Sequence, residues 1–178
     1  MQAQNSTAYF EQVVLPHLDA AYNLARWLTR NDQDAEDVVQ EAYLRAFKFF
    51  TNFRGGDSRT WLLTIVRNTC YTWLRQNRRD ELTMFDEELH NSPVDCAVLN
   101  PELLFEHSID LQLLKDALAE LPIEFREVLV LRELEGLAYK EIARIADIPI
   151  GTVMSRLNRA RQALQTDLLQ QMSEGKPL

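Results

Sequence analysis

The sequence predicts an all-α protein, two small helical domains joined by a flexible acidic linker, the second domain carrying a helix-turn-helix. Three observations predict it. Glycine occurs 5 times and proline 6 times in 178 residues, too few for a turn-rich β fold, while good helix formers (Leu, Ala, Glu, Gln and Arg) dominate. Apolar residues recur at a 3.6-residue period along most of the chain. That period is lost over residues 80–100, where Asp, Glu, Asn, Ser and Pro gather. The 46% hydrophobic content is enough for folded cores and argues against disorder.

Taken in order, Asn5 or Ser6 is expected to cap a first helix with Tyr9, Phe10, Val13 and Val14 on one side. Pro16 kinks or restarts this helix. Leu18, Ala21, Tyr22, Ala25 and Leu28 continue the period until Asn31-Asp32 breaks it. Asp34 is expected to cap the next helix, in which Ala35, Val38, Val39, Ala42, Tyr43, Ala46, Phe47 and Phe50 recur at helical spacing. Acids crowd its first turn, where the helix dipole favours them. Residues 51–57, TNFRGGD, read as a loop with paired glycines. Ser58 is expected to cap a third long helix running through Trp61, Leu62, Ile65, Val66, Thr69, Trp73 and Leu74 to about Asn77. Beyond the linker, Asn100-Pro101-Glu102 is a helix start, and that helix runs to about Glu120. Pro122 opens another helix, with Gly136 as its C-cap.

Residues 137–164 carry the sharpest signal. Tyr139 to Ala146 form a short helix with Ile142, Ile145 and Ala146 inward, and the small Ala143 lets a second helix cross closely. Asp147 stands at the turn and tolerates a left-handed backbone. Pro149 cannot extend the first helix, and Gly151-Thr152 opens the second. Along it Val153, Leu157, Ala160 and Leu164 make an apolar stripe, opposite Thr152, Ser155, Arg156, Asn158, Arg159 and Gln162. One side anchored in a core and one side of hydroxyl, amide and guanidinium donors is what a helix in the DNA major groove needs.

The net charge of −8 and pI of about 4.9 argue, taken alone, against nucleic acid. The distribution reverses the inference. Residues 1–44 carry two bases against seven acids, a net of −5, whereas residues 45–79 carry eight bases against Asp57 alone, a net of +7. Residues 80–138 carry three bases against fifteen acids, a net of −12, and residues 139–178 carry a net of +2. Within the basic block, cations alternate with Phe47, Phe49, Phe50, Phe53, Trp61, Tyr71 and Trp73, a composition suited to gripping a backbone and stacking on exposed bases. More than half of these rings are expected in the core, with Phe53 and residues 54–59 the better candidates for exposure.

No nucleotide loop, paired-carboxylate constellation or Cys/His nucleophile arrangement is present, so an enzyme is not expected. His17, His90 and His107 are scattered, Cys70 and Cys96 form no CxxC, and neither metal nor cofactor is expected. The opening MQAQNSTAYF lacks a secretory signal pattern and no apolar run is long enough to span a membrane, so a reduced, cytoplasmic chain is expected.

Together these segments resemble the extracytoplasmic-function sigma factors of the sigma-70 superfamily. DAEDVVQEAYLRAF resembles the family's polymerase-binding motif, FRGGDSRTWLLTIVRNTCYTWLRQNRR its promoter-opening loop and minus-ten helix, and LPIEFREVLVLRELEGLAYKEIARIADIPIGTVMSRLNRARQAL its minus-thirty-five domain. The resemblance implies a first domain over residues 1–79, a linker over 80–108 and a second domain over 109–178. It implies that Asp37, Gln40, Glu41 and Leu44 dock on the clamp helices of the largest subunit of core RNA polymerase. It assigns Phe53, Arg54, Ser58, Arg59, Thr60, Arg67, Asn68, Arg75 and Arg78 to the minus-ten element, and Thr152, Ser155, Arg156, Asn158 and Arg159 to the minus-thirty-five element. The polymerase flap and an anti-sigma factor are further implied partners. Met154, where the family often has Lys or Arg, and Asp147, in place of the usual turn glycine, depart from the pattern. Two rivals remain at this point: a stand-alone helix-turn-helix regulator, which leaves the basic aromatic block unexplained, and a helical enzyme or adaptor.

Overall fold

In a computed structural model of the chain, residues 2–78 and 111–174 are described. The expected linker and the helix start at Asn100-Pro101-Glu102 lie outside the described residues. The elements are α1 (Gln2–Val14), α2 (Leu18–Thr29), α3 (Asp32–Phe49), α4 (Ser58–Asn77), α5 (Leu111–Glu120), α6 (Ile123–Leu129), α7 (Tyr139–Ala146) and α8 (Ile150–Ser173). Short 3-10 turns at Leu15–His17 and Phe50–Asn52 and a π turn at Val130–Leu134 complete them.

Local chemistry sets the boundaries. Pro16 stands in the 3-10 turn that separates α1 from α2, where its missing N–H breaks no helical bond. Arg30, at φ 58°, ends α2 with its N–H donating to Arg26. Three expected caps are corrected. Helix α1 is already under way at Gln2, so Asn5 and Ser6 lie inside it. Asn31, not Asp34, caps α3: its backbone is extended and its side chain accepts from the Asp34 N–H at 3.0 Å. Asp57, not Ser58, caps α4 and accepts from the Thr60 N–H at 3.1 Å. In both cases the cap is the extended residue before the first helical one, where an acceptor reaches the open N–H groups.

Helices α2, α3 and α4 pack on one another around Ala21, Leu24, Leu28, Val38, Leu62, Leu63 and Val66, all at most 1% exposed. Phe10 of α1 closes one end, edge-on to Phe47 at 5.2 Å and to Phe50 at 5.1 Å. Phe47, expected inward, is 51% exposed, because α1 covers only part of the α3 surface at that level. In the second group α8 packs on α5, α6 and α7 around Leu131, Ile142, Ile145, Val153, Leu157 and Leu168. The two groups also pack on each other, α2 against α6 and α4 against α7, and their buried residues form one continuous cluster.

Candidate nucleic-acid interface

The loop into α4 turns on Gly55 and Gly56, at φ 86° and 102°, conformations that L side chains rarely adopt. Arg54 is exposed beside them. Phe53 is half-buried, stacked on Phe50 at 5.6 Å and tilted against Trp61 at 5.0 Å, so the freely exposed rings here are Phe47 and Phe49. Thr60 is 5% exposed and its hydroxyl donates to Asp57, which leaves no hydroxyl proton for a ligand. That hydrogen bond, first among the causes, holds the Asp57 carboxyl below the ordinary carboxylate range. Ser58 is bonded to His17 Nε2 at 3.0 Å.

Along α4 the cations differ in engagement. Asn68 and Arg75 are exposed. Arg78 donates to Thr29 O at 3.0 Å and Asp34 Oδ2 at 2.9 Å, which ties the end of α4 to the start of α3. Arg59 and Arg67 reach across to the second helical group. Arg59 Nη2 donates to Glu135 O at 2.7 Å and Glu135 Oε2 at 2.9 Å. Arg67 Nε donates to Glu127 Oε1 at 2.6 Å, while Tyr71 donates its hydroxyl to Glu127 Oε2 at 2.9 Å. The Arg67 guanidinium also lies over the Tyr71 ring, 3.9 Å from its centroid. Burial, the largest single influence, would loosen the Arg67 proton, but the charge and hydrogen bond of Glu127 together with Tyr71 outweigh it and hold the guanidinium more firmly protonated. Burial, then the Glu127 charge, pushes the Tyr71 phenol and the Cys70 thiol upward, so neither ionises near neutrality. Glu127 and Glu135 were not singled out by sequence, because helical spacing says nothing about which face meets another domain.

On α3, Asp37, Gln40, Glu41 and Leu44 are all exposed on one side, with Leu44 at 68% and Phe47 extending the stripe by a turn. Glu41 pairs with Arg45 at 2.8 Å. These residues are brought together as helical spacing expects.

The helix-turn-helix is built as expected. The Ala138 N–H donates to Glu141 Oε2 at 2.7 Å and starts α7. Asp147 takes a left-handed conformation, φ 54° and ψ 50°, and ends it. Pro149 is the residue before α8. Val153, Leu157, Ala160 and Leu164 are buried, which turns Thr152, Ser155, Arg156, Asn158 and Arg159 to the open side. Met154, 48% exposed, lies among them. Arg161 Nε donates to Glu133 Oε1 at 3.1 Å and anchors α8 to the π turn. Burial raises the Glu124 carboxyl, and the Arg156 charge acts against that rise. Phe125, Arg159, Gln162 and Asp167 share an open groove of about 440 Å³ along α8. Among the described residues no three metal-ligating side chains come together, and no helix is long and apolar enough to cross a membrane.

Residues 13–80 match the family described as Sigma-70 region 2, and residues 111–164 match Sigma-70, region 4. The chain is 39% identical over 137 residues to the ECF RNA polymerase sigma-E factor of Escherichia coli K12, covering 74% of this chain and 72% of that one. The chain belongs to the extracytoplasmic-function (ECF) sigma factors. A second ECF relative, SigE of Mycolicibacterium smegmatis, is 35% identical over 165 residues; the match covers 93% of this chain but spans 63% of that relative's length. Among solved structures, the sigma factor RpoE in complex with the anti-sigma factor NepR from Bartonella quintana aligns with a TM-score of 0.68 at 32% identity, over 89% of this chain and 96% of that one. CnrH in complex with the cytosolic domain of CnrY aligns with a TM-score of 0.62 at 25% identity, over 92% of each chain. Both likenesses are long enough to include both helical groups of this ECF factor.

Proposed function

We propose that this chain directs core RNA polymerase to specific promoters and assists their opening, and that it performs no catalysis of its own. One observation carries the reading: a region 2 fold with a cation-lined α4 and a region 4 fold with an open α8 recognition face occur in one chain, in that order. Residues 1–79 would dock on the clamp helices of the largest polymerase subunit through Asp37, Gln40, Glu41 and Leu44. Arg54, Ser58, Arg59, Arg67, Asn68, Arg75 and Arg78 would hold the minus-ten strands, with Phe53 lining the loop that captures an extruded base. Thr60 would act through the Asp57 cap that shapes this loop. The α8 face, Thr152, Ser155, Arg156, Asn158 and Arg159, would read the minus-thirty-five element in the major groove, and residues 109–178 would also meet the polymerase flap. An anti-sigma partner in the cytoplasm completes the proposal, supported by the RpoE structure with NepR bound.

The test is transcription in vitro with purified core polymerase and a genome-wide promoter pool. RNA synthesis from a defined subset of templates is expected, with footprints over both elements. The free chain is expected to bind duplex promoter weakly. Failure to start RNA from any template would end the proposal.

A further inference from the structure

We propose that Met154, backed by Ile150 one turn before it, reads the 5-methyl group of a thymine in the minus-thirty-five element. The contact is apolar and lies in the major groove. The proposal rests on the reading above that α8 enters that groove.

The most exposed line along the start of α8 is not its most polar one. Ile150, Gly151, Met154 and Asn158 are exposed, whereas Thr152, Ser155, Arg156 and Arg159 are partly covered. Ile150, Met154 and Asn158 are spaced four residues apart, so they stand one above another on the helix surface. Ile150 is 44% and Met154 48% exposed, two large apolar side chains left in water at the end of the helix that would enter a groove first. The neighbouring hydroxyl is already engaged: Ser155 donates to Thr152 O at 3.1 Å. Arg159 shares the groove along α8 with Asp167, farther from the helix start. Gly151 adds a second observation. A Cβ built there meets nothing within 4 Å, so packing within the chain does not require a glycine. Its bare backbone lets the start of α8 approach base edges closely.

The chemistry selects the partner. Among the base edges of the major groove, the thymine C5-methyl is the apolar group, and the rest are hydrogen-bond donors and acceptors. A thioether side chain cannot pair with those and cannot neutralise a phosphate. It can cover a methyl, and its unbranched, polarisable chain adapts to an irregular gap. Asn158, one turn beyond Met154, offers an amide on the same line and fixes the register of the contact by hydrogen bonding to a nearby base. Met154 is therefore a specificity residue that acts by covering a methyl, at a position where Lys or Arg would add charge without reading the sequence.

The experiment uses the full chain assembled with core polymerase and the strongest promoter from the genome-wide pool. Each thymine in the upstream footprint is replaced singly by deoxyuridine, which removes the methyl and keeps the base pair. Binding is read by competition with the unsubstituted promoter. At one thymine, or at two adjacent ones, the loss of the methyl is expected to weaken binding about fourfold, the worth of one buried methyl group. Met154→Ala should weaken binding to the natural promoter by a similar factor and should no longer distinguish thymine from deoxyuridine there. The two losses should not add, as expected of groups in direct contact. Met154→Leu, which keeps an apolar side chain, should retain most of the discrimination. Circular dichroism and co-purification with core polymerase should be unchanged in both variants. Indifference to deoxyuridine at every position, or full discrimination retained by Met154→Ala, would overturn the proposal. So would weaker co-purification of Met154→Ala with core polymerase without any thymine effect, which would give the apolar line to a protein partner. If the wild-type holoenzyme footprints no template, the sigma reading fails and takes this contact with it. If footprints form normally and the methyl has no effect, the methyl contact alone fails.

Discussion

His17 illustrates how one side chain joins the 3-10 turn after α1 to the start of α4. Its Nε2 meets the Ser58 hydroxyl at 3.0 Å. Burial, and then the Arg59 charge, lower its pKa from the ordinary 6.5, with Asp57 acting in the opposite sense. Between the lowered folded value and 6.5 the unfolded chain binds more protons than the folded one, so stability rises with pH there. The contribution is complete above the unfolded value and is lost as pH falls through the folded one. Urea midpoints at about pH 5 and about pH 7.5 should therefore differ less in His17→Gln than in the wild type. An unaltered difference would remove His17 from the pH response. Arg156 makes the corresponding case on the open face of α8. Arg156→Ala should cost ~1–3 kcal/mol in discrimination between promoters with and without the minus-thirty-five element. Binding of the chain to core polymerase should be unchanged. Competition footprinting checks the first statement and co-purification the second.

At the scale of elements, α3 has one face in the core and one in solvent, and the two respond differently to truncation. Leu44 is 68% exposed, whereas Leu28 of the neighbouring α2 is fully buried. Leu44→Ala is expected to leave the urea midpoint almost unmoved, within about 0.5 kcal/mol, while weakening assembly with core polymerase. Leu28→Ala is expected to cost about 2–5 kcal/mol of stability through the cavity it leaves. If Leu44→Ala lost stability like Leu28→Ala, the exposed stripe would be part of the core and the docking surface would lie elsewhere. Helix α4 shows how one element serves two masters. Its Leu62, Leu63 and Val66 side is core, while Arg59 and Arg67 meet the second helical group.

At the scale of the molecule, the question is what Glu127 contributes. Removing one partner of a pair buried in a single rigid core strands the other charge and costs about 3–5 kcal/mol. Glu127 is fully buried and accepts from both Arg67 and Tyr71, so Glu127→Ala should lower the stability measured by urea by about 3–5 kcal/mol. A loss below about 1 kcal/mol would show that the two groups separate and let Arg67 regain water.

Periodicity and composition determined the all-α class, the helix spans, the turn at Asp147 and the residues on the open faces of α3 and α8. Each of these follows from a 3.6-residue repeat and from which residues can end a helix, both properties of neighbours in the chain. The caps Asn31 and Asp57 missed by one to three residues, because several polar residues cluster at each helix start and only backbone conformation selects among them. Phe47 could not be placed by its period, since its exposure depends on how far α1 covers α3. The partners of Arg59 and Arg67 lie 76 and 60 residues away in the chain, beyond any local pattern. Only tertiary packing decided that Glu135 and Glu127 meet them, because two domains can dock in many ways with the same helices, and the contact that wins is set by the shapes and charges of assembled surfaces.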